Sequence, residues 1–565
     1  MNHVINQFCP RIDFDSYEDF KANFVINIPP SFNYAYDVVD EWARVEPDKL
    51  ALVWCDDNLE KTFSFADISR LSDQAAAVFA DNGIGKGDIV MVMLRQRWEY
   101  WIIAMGLCKL GAIISPATVQ LTTKDIQYRL QSSGAKALIV LDDDYVVSQT
   151  APALASTPDC QLAMLVDAHI PRAGWLDFNA LLEQQASRFE RPQGDAASQN
   201  DDIMLIYFTS GTTGLAKMAM HDFTHPLGHI ITARYWQQVQ ENELHCSVSD
   251  SGWAKFGWGK IYGQWICGAP IFAYDAERFG ARELLQRIEQ YRIKTFCVPP
   301  TMYRMMLTED VSAYDLSSVE TFTTAGEALD PEVNLQWQRI TGKLIREGFG
   351  QSEGPVLLAT FPWLEPRPGS MGKPSPLYDI KLLDDNALPV GDGVEGSICI
   401  CSLKDKYPLG LFVGYYKDST LSAKAVGGEY YNLHDLAWRD VDGYYTFIGR
   451  DDDVIKSSGY RIGPFEVESA LSEHPAVLES AVTAVPDEIR GSIVKATITL
   501  KPGLMPSDQL AKELQDHVKQ VTAPYKYPRI IEFVDELPKT VSGKIKRAEI
   551  RTIDAGGTWE GEGSI

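Results

Sequence analysis

Apolar runs of five or six residues alternate with helical patterns from about residue 50 onward. Ile89 to Leu94 (IVMVML) and Ala137 to Leu141 (ALIVL) are continuously apolar, the mark of strands covered on both faces. Such alternation predicts α/β layers with largely parallel sheets. The most apolar stretch, Trp101 to Ala117, is broken by Lys109 and too short to span a bilayer comfortably. Residues 184–202 are polar and hold Pro192 and Gly194, which reads as a surface connection leading into a strand over Ile203 to Phe208. After about residue 452 the elements shorten. A helix is expected near 464–473, opened by Pro464 with Glu466 and Glu468 in its first turns. Strands follow near 479–485 and 495–500, then a helix near 509–521 with Leu510, Leu514, Val518 and Val521 on one face, and a strand near 529–534. The pattern predicts a large N-terminal domain over 1–451, a small α+β domain over 452–553, and a disordered tail over 554–565 that holds four glycines.

Length agrees with this division, since 565 residues exceed what one compact core organises. Charge narrows the partners: 52 Lys and Arg against 77 Asp and Glu give a net charge of −25. That argues against nucleic acid and against anionic lipid as partners. Residues 1–14 lack a charged-then-apolar signal pattern. The nine cysteines are odd in number and form no CxxC pair, so neither a disulfide framework nor a zinc site is implied, and a reduced cytoplasmic setting is expected.

Four segments carry chemistry. Directly after the strand ending at Phe208 come Thr209, Ser210, Gly211, Thr212, Thr213, Gly214, Leu215, Ala216 and Lys217. Glycines allow close backbone approach, successive N–H groups form an anion nest, and four hydroxyls and a lysine add donors, a set suited to a polyphosphate. It is not a Walker A loop, because GxxxxGK[ST] is absent. Leu436 to Val441 and Tyr444 to Gly449 flank Asp442-Gly443, which predicts a two-residue hairpin turn. In that register Asp435 faces Arg450. Read from the residues alone, a grip on ribose hydroxyls and a cross-strand salt bridge are equal alternatives. Gly348, Phe349, Gly350, Gln351, Ser352 and Glu353 place glycines around an aromatic ring, then a hydroxyl and a carboxylate suited to a planar group and to Mg²⁺ with phosphate. Finally, residues 539–551 carry Lys539, Lys544, Lys546, Arg547 and Arg551 against Glu549, a local +4. His221, His225 and His229 have the i, i+4, i+8 spacing of a metal-binding helix face, but Pro226 interrupts any continuous helix there.

Together, and with Ser249 to Trp253, Ala325 to Leu329, Gly449 to Asp453 and Ser458 to Gly463, these segments resemble the AMP-forming acyl-CoA synthetases of the adenylate-forming superfamily over roughly residues 30 to 551. The resemblance is nearest to medium-chain acyl-CoA and archaeal or bacterial acyl-adenylate synthetases. It implies an α/β large domain of layered subdomains with a small β-rich subdomain, and a mobile C-terminal domain hinged at Asp452. It also implies ATP, Mg²⁺ and CoA as cofactors. Thr209 to Lys217 matches the phosphate loop. Gly326, Glu327 and Ala328, with Glu347, Gly348 and Phe349, match the adenine pocket. Ser352 and Glu353 match the pair whose carboxylate binds Mg²⁺. Asp435 and Arg450 match the ribose residues, and Arg461 an arginine that meets the phosphates. Gly459 matches the pantetheine passage, and Lys544 the lysine that promotes adenylation.

Acetate-specific relatives close the acyl pocket with a tryptophan where Gly350 stands here, so the resemblance implies an acid larger than acetate: branched short-chain, medium-chain or aromatic. Trp253 and Trp258 are candidate apolar walls, with a plain core role as the alternative. Lys255, Lys260 and Cys297 lie in bordering segments and receive no role. The sequence departs from the family pattern at Leu433 and His434, where Thr-Gly usually precedes the ribose aspartate; Ser352 replaces the commoner Thr, and Met218 the usual Gly. The expected reaction is ATP-dependent formation of acyl-AMP, then transfer to CoA. The alternatives are transfer to a carrier protein or another thiol, and a non-catalytic nucleotide or acyl-adenylate binder. Partners are small molecules, and a homodimer is compatible with this reading.

Overall fold

The computed structural model describes residues 4–554 except 186–187, 210–215, 278, 452, 458–459, 488–489 and 540–544. Ile89–Met93 and Ala137–Leu141 are wholly buried strands and pair in parallel. They belong to an eight-stranded sheet with Ile113–Pro116, Leu162–Val166, Leu176–Asp177, Ile203–Thr209, Lys217–Asp222 and Gly414–Tyr415. A nine-stranded sheet lies alongside. Its order runs Lys373–Pro374, Gly354–Ala359, Arg346–Gln351, Thr321–Thr324, Thr295–Cys297, His245–Ser247, Ile271–Tyr274, Leu50–Cys55, Glu60–Ser64. A four-stranded antiparallel sheet follows, made of Asp379–Leu383, Gly396–Cys401, Tyr431–Arg439 and Tyr445–Arg450, with its own core around Ile398, Ile400 and Leu433.

The apolar stretch beginning at Trp101 is the helix Glu99–Leu110, buried on every side between the sheets. Its one cation, Lys109, is matched inside the fold by Asp40 at 2.9 Å and Asp73 at 2.5 Å. Burying that charge is tolerable only because two carboxylates meet it.

The C-terminal part has a separate core. Pro464–Ser472 and Asp508–Val521 pack on a sheet of Val477–Asp487, Gly491–Leu500 and Ile530–Phe533 through Val467, Leu471, Val482, Ile498, Leu514 and Val518. Both helices begin where expected, Pro464 occupying the first turn and Ser507 capping the second through Leu510 N–H. The strands run longer than expected, because eleven- and ten-residue partners pair to their ends. The helix Arg547–Asp554 takes in the first residue assigned to the tail; the remainder of that tail lies outside the described residues.

One expectation is corrected. The hairpin turn is not the pair Asp442-Gly443. Asp440 N–H donates to Tyr444 O, and Gly443 adopts φ +85°, so Val441, Asp442 and Gly443 form a three-residue loop with glycine in the left-handed position. Val441, expected to pair with Tyr444, is 86% exposed. Arg439 faces Tyr445 and Ala437 faces Phe447, one residue out of the expected register. A bulge between Leu436 and Ala437 then restores it, so Leu436 faces Gly449 and Asp435 faces Arg450 as expected.

Candidate active site

The strand ends converge on one region. Thr209 closes one strand and Lys217 opens the next, paired with it antiparallel, so the segment expected to bind phosphate joins two paired strands. Thr209 Oγ1 is buried with no hydrogen-bond partner among the described residues. Ser210, Gly211, Thr212, Thr213, Gly214, Asp452, Gly459 and Lys544 lie outside the described residues, and Arg461 is described only in its backbone, paired with Lys456. Lys539 and Ile545, which flank the Lys544 segment, pair antiparallel.

Opposite Lys217 stands Glu353. Tyr415 OH donates to its Oε1 at 3.1 Å, and the Lys217 ammonium lies 5.5 Å from the Tyr415 ring centre. Burial pushes the Glu353 carboxyl above the usual carboxylate range, while the Tyr415 hydrogen bond and the charges of Lys217 and Arg450 pull it back. A desolvated carboxylate facing cations is a hard oxygen donor whose charge a divalent cation would balance. Mg²⁺ takes one or two protein carboxylates and completes its shell with water and phosphate, so Glu353 fits it.

Asp435 is buried to 5% exposure and accepts from Gln351 Nε2 at 2.6 Å. The same amide donates to Leu433 O at 2.8 Å. Gln351 therefore fixes the aspartate, a role the sequence did not reveal because glutamine has no signature spacing. His434 sits at φ +60°, a left-handed conformation that glycine adopts at little cost and histidine does not. The family's glycine at this place thus has a backbone reason. Here the histidine is held by Asn432 Oδ1, which accepts from His434 N–H at 2.7 Å, and by Asp451 Oδ2, 2.9 Å from its Nδ1.

The expected adenine segment is braced from behind. Thr301 Oγ1 lies 3.0 and 3.1 Å from the two Glu327 oxygens, and Arg304 Nη2 lies 3.4 Å from one. Gly326 is exposed at φ +104° with open space where a side chain would stand, and Ala328 follows half-buried. Glu347 is buried and faces backbone N–H groups, Leu329 N–H donating at 3.2 Å; burial pushes its carboxyl up to about 8. It positions the 326–329 turn. The glycines around Phe349 were expected to bring backbone close to a planar ligand. Their immediate reason differs: a Cβ on Gly348 would stand 2.4 Å from the Trp236 ring, and one on Gly350 2.4 Å from the Trp258 ring.

Trp258 and Gly350 line a cavity of about 330 Å³ with Trp253, Ala325, Met302 and Phe279. Trp253 caps the helix Ala254–Lys260 that carries Trp258. The cavity is therefore walled by both tryptophans. Lys255 borders it with its Nζ donating to Ala325 O at 2.8 Å.

The three histidines do not share a helix: His221 is on the strand Lys217–Asp222, and His225 begins the helix His225–Ile230, with Pro226 in its first turn. Their rings nonetheless form a buried stack, with centres 3.9 and 4.7 Å apart. His221 Nε2 is 2.8 Å from Ser352 O and His225 Nδ1 is 3.0 Å from Gly410 O, so both nitrogens carry protons. His225 Nε2 is then free to accept from His229 Nε2–H at 3.1 Å, and His229 Nδ1 accepts from Thr232 Oγ1 at 3.2 Å. Burial holds all three well below the usual imidazole range and neutral. The stack supports Ser352 from below, beside Trp258.

These features define an AMP-binding enzyme. The family model of that description matches residues 39–416, and the model of the AMP-binding enzyme C-terminal domain matches residues 466–544; the chain belongs to this family. Within it, the chain is 41% identical over 551 residues to mouse mitochondrial acyl-coenzyme A synthetase ACSM3, covering 95% of this chain and 93% of the relative. It is 40% identical over 541 residues to human mitochondrial acyl-coenzyme A synthetase ACSM5, covering 94% and 92%. Among solved structures it is similar to the anthranilate CoA ligase AuaEII in complex with anthranoyl-AMP (TM-score 0.85, 29% identity, 93% of this chain and 98% of that one). It is also similar to a benzoate CoA ligase from Burkholderia xenovorans LB400 (TM-score 0.79, 27% identity, 92% and 100%). No helix among the described residues is long and apolar enough to cross a membrane.

Proposed function

We propose that the protein activates a carboxylic acid larger than acetate to an acyl-adenylate and then passes the acyl group to the thiol of CoA. The observation that carries this is the cavity beside Gly350 and the two tryptophans, which reaches Gln351 and Ser352. Relatives named acyl-coenzyme A synthetases and neighbours named as ligases of anthranilate and benzoate support it.

The substrate carboxylate oxygen attacks the α-phosphate of ATP, a P–O bond forms, and the bond to pyrophosphate breaks with its electron pair. Two anions must meet for this, so the residues' task is to offset repulsion. Lys217 and the phosphate loop hold the β- and γ-phosphates, Arg461 and Lys544 stabilise the charge moving to pyrophosphate, and Asp435 with Arg450 fixes the ribose. Glu353 would hold Mg²⁺, which when bound neutralises phosphate charge. In the second half-reaction the thiol sulfur attacks the acyl carbon and AMP leaves. Rotation of the C-terminal domain about Asp452 withdraws Lys544 and opens the Gly459 passage, so one site serves both steps. The domain boundary at residue 452 belongs to the same proposal.

The test is pyrophosphate release over a carboxylate panel, with CoA present, absent, or replaced by a holo-carrier protein. Larger acids should release pyrophosphate and give thioester only with CoA. Turnover of acetate alone would refute the open-pocket argument, and ATP binding without acid-dependent release would refute catalysis.

A further inference from the structure

The cavity does not end in hydrocarbon. Taken in sheet order, its lining passes from Gly350–Ser352, past Ala325–Glu327 and Pro299, to Cys246 and then Tyr274. Four strand-to-strand steps separate the first of these strands from the last, which at the usual spacing is about 19 Å. The phosphate-side groups lie at the Ser352 end. At the other end stand Arg95, Gln96 and Lys260.

Lys260 closes the helix that carries Trp258 and is 1% exposed. Its ammonium has three donors and contacts one acceptor, Gln96 Oε1. No carboxylate lies within ion-pair distance of it among the described residues. The nearby Asp275 is engaged by Arg95 at 3.4 Å and by Arg97 at 3.7 Å. Gln96 is fixed by its own backbone, whose carbonyl accepts from Trp54 Nε1 at 2.8 Å, and its Nε2 donates to no described residue. Donors are thus left over on both side chains, inside a pocket whose other walls are largely apolar. Burial pushes Lys260 down to about 8, so it remains mostly cationic at neutral pH.

A buried ammonium with unmet donors is expensive unless something supplies an acceptor. Among the described residues only Gln96 supplies an oxygen acceptor, the other contact of the ammonium being the Phe256 ring 5.7 Å away, and the cavity is where a substrate tail would come. We propose that Lys260 and Gln96 form a recognition subsite for an oxygen acceptor on the tail of the acid, so that the preferred substrate carries a second oxygen function at the end remote from the activated carboxylate. This rests on the activation reading above and specifies its substrate class.

The test compares kcat/KM for pyrophosphate release with octanoate, ω-hydroxyoctanoate, ω-oxooctanoate and octanedioate, and with phenylpropanoate and its para-hydroxy derivative. At least one oxygenated acid should exceed its hydrocarbon parent by about 100-fold or more, the lower bound for a site built to bond a polar group, which can discriminate by about 10⁴-fold. Which one does so reports whether the subsite takes a neutral oxygen or a carboxylate. Lys260→Met should lower kcat/KM for the oxygenated acid far more than for its hydrocarbon parent and so erase most of that preference; Gln96→Met should do so in part, and serves if the first variant fails to fold. Equal or better turnover of the hydrocarbon parents by the native protein would overturn the inference, as would a loss in Lys260→Met that is the same for every acid. Pyrophosphate release with no acid in the panel would refute the activation reading, and the inference with it.

Discussion

Gly350→Ala tests how the acyl cavity is bounded. The added Cβ would lie 2.4 Å from Trp258 Cη2 and 2.6 Å from Pro355 O. Ordinary carbon contacts begin near about 3.5 Å, so the overlap with the ring is about 1 Å. The Pro355 carbonyl belongs to the paired strand Gly354–Ala359 and cannot retreat, whereas the Trp258 ring borders the cavity and can. The ring should therefore move about 1 Å into the space the acid occupies. Overpacking of this kind costs about 1–3 kcal/mol of stability, visible as a lower Tm. A wall advanced by 1 Å excludes about one or two methylenes, each worth about 0.8 kcal/mol. The ratio of kcat/KM for octanoate over butyrate should fall by about 4- to 15-fold. Pyrophosphate-release kinetics on both acids and a thermal melt supply the numbers. A lowered Tm with an unchanged ratio would refute the reasoning, because the ring would then be moving somewhere other than the acyl space.

Other perturbations test separate parts of the site. The folded pKa of Glu347, about 8, lies above its ordinary value of 4.5. The folded state therefore holds a proton that the unfolded state has released, and stability falls as pH rises from 4.5 to 8. Glu347→Gln should remove up to about 5 kcal/mol of that fall, so its Tm advantage over the native protein should grow across this window; a constant difference would refute the assignment. At His434 the Gly variant should be more stable than the Ala variant by about 1 kcal/mol, measured by denaturant melts, because only alanine retains the left-handed strain. Gln351→Met should raise KM for ATP about 10-fold, the price of one charge-assisted hydrogen bond to Asp435, with kcat for the acid little changed. Lys544→Ala should cripple acyl-adenylate formation yet spare thioester formation from supplied acyl-adenylate, and survival of both half-reactions would overturn its role.

The sheets and both C-terminal helices were legible because burial on two faces and 3.6-residue periodicity leave direct marks, whereas the stretch from Trp101 showed its apolarity but not that it forms the helix Glu99–Leu110. The cavity walls at Trp253, Trp258 and Gly350 were legible only through resemblance, since a tryptophan in a wall and one in a core read alike. Gln351, Tyr415, Thr301 and the Lys260–Gln96 pair were not legible: each acts through a partner 26 to 164 positions away, and no local pattern encodes such a meeting. The histidines show the reverse case. Their spacing suggested one helix face, yet the fold gathers their rings from a strand and a separate helix and turns five of their nitrogens to two carbonyls, a hydroxyl and one another.

The hairpin that presents Asp435 to Arg450 has a further consequence. Its loop is one residue longer than a two-residue turn, and the bulge beside Leu436 absorbs the difference. The extra loop residue and the extra bulge residue, Ile448, are matched: at this chain length either one without the other would leave Asp435 one step out of register with Arg450. A two-residue turn grafted with one residue deleted should therefore keep Asp435 opposite Arg450, whereas the same turn at unchanged length should keep it only if the bulge closes and Ile448 joins the ladder opposite Ala437.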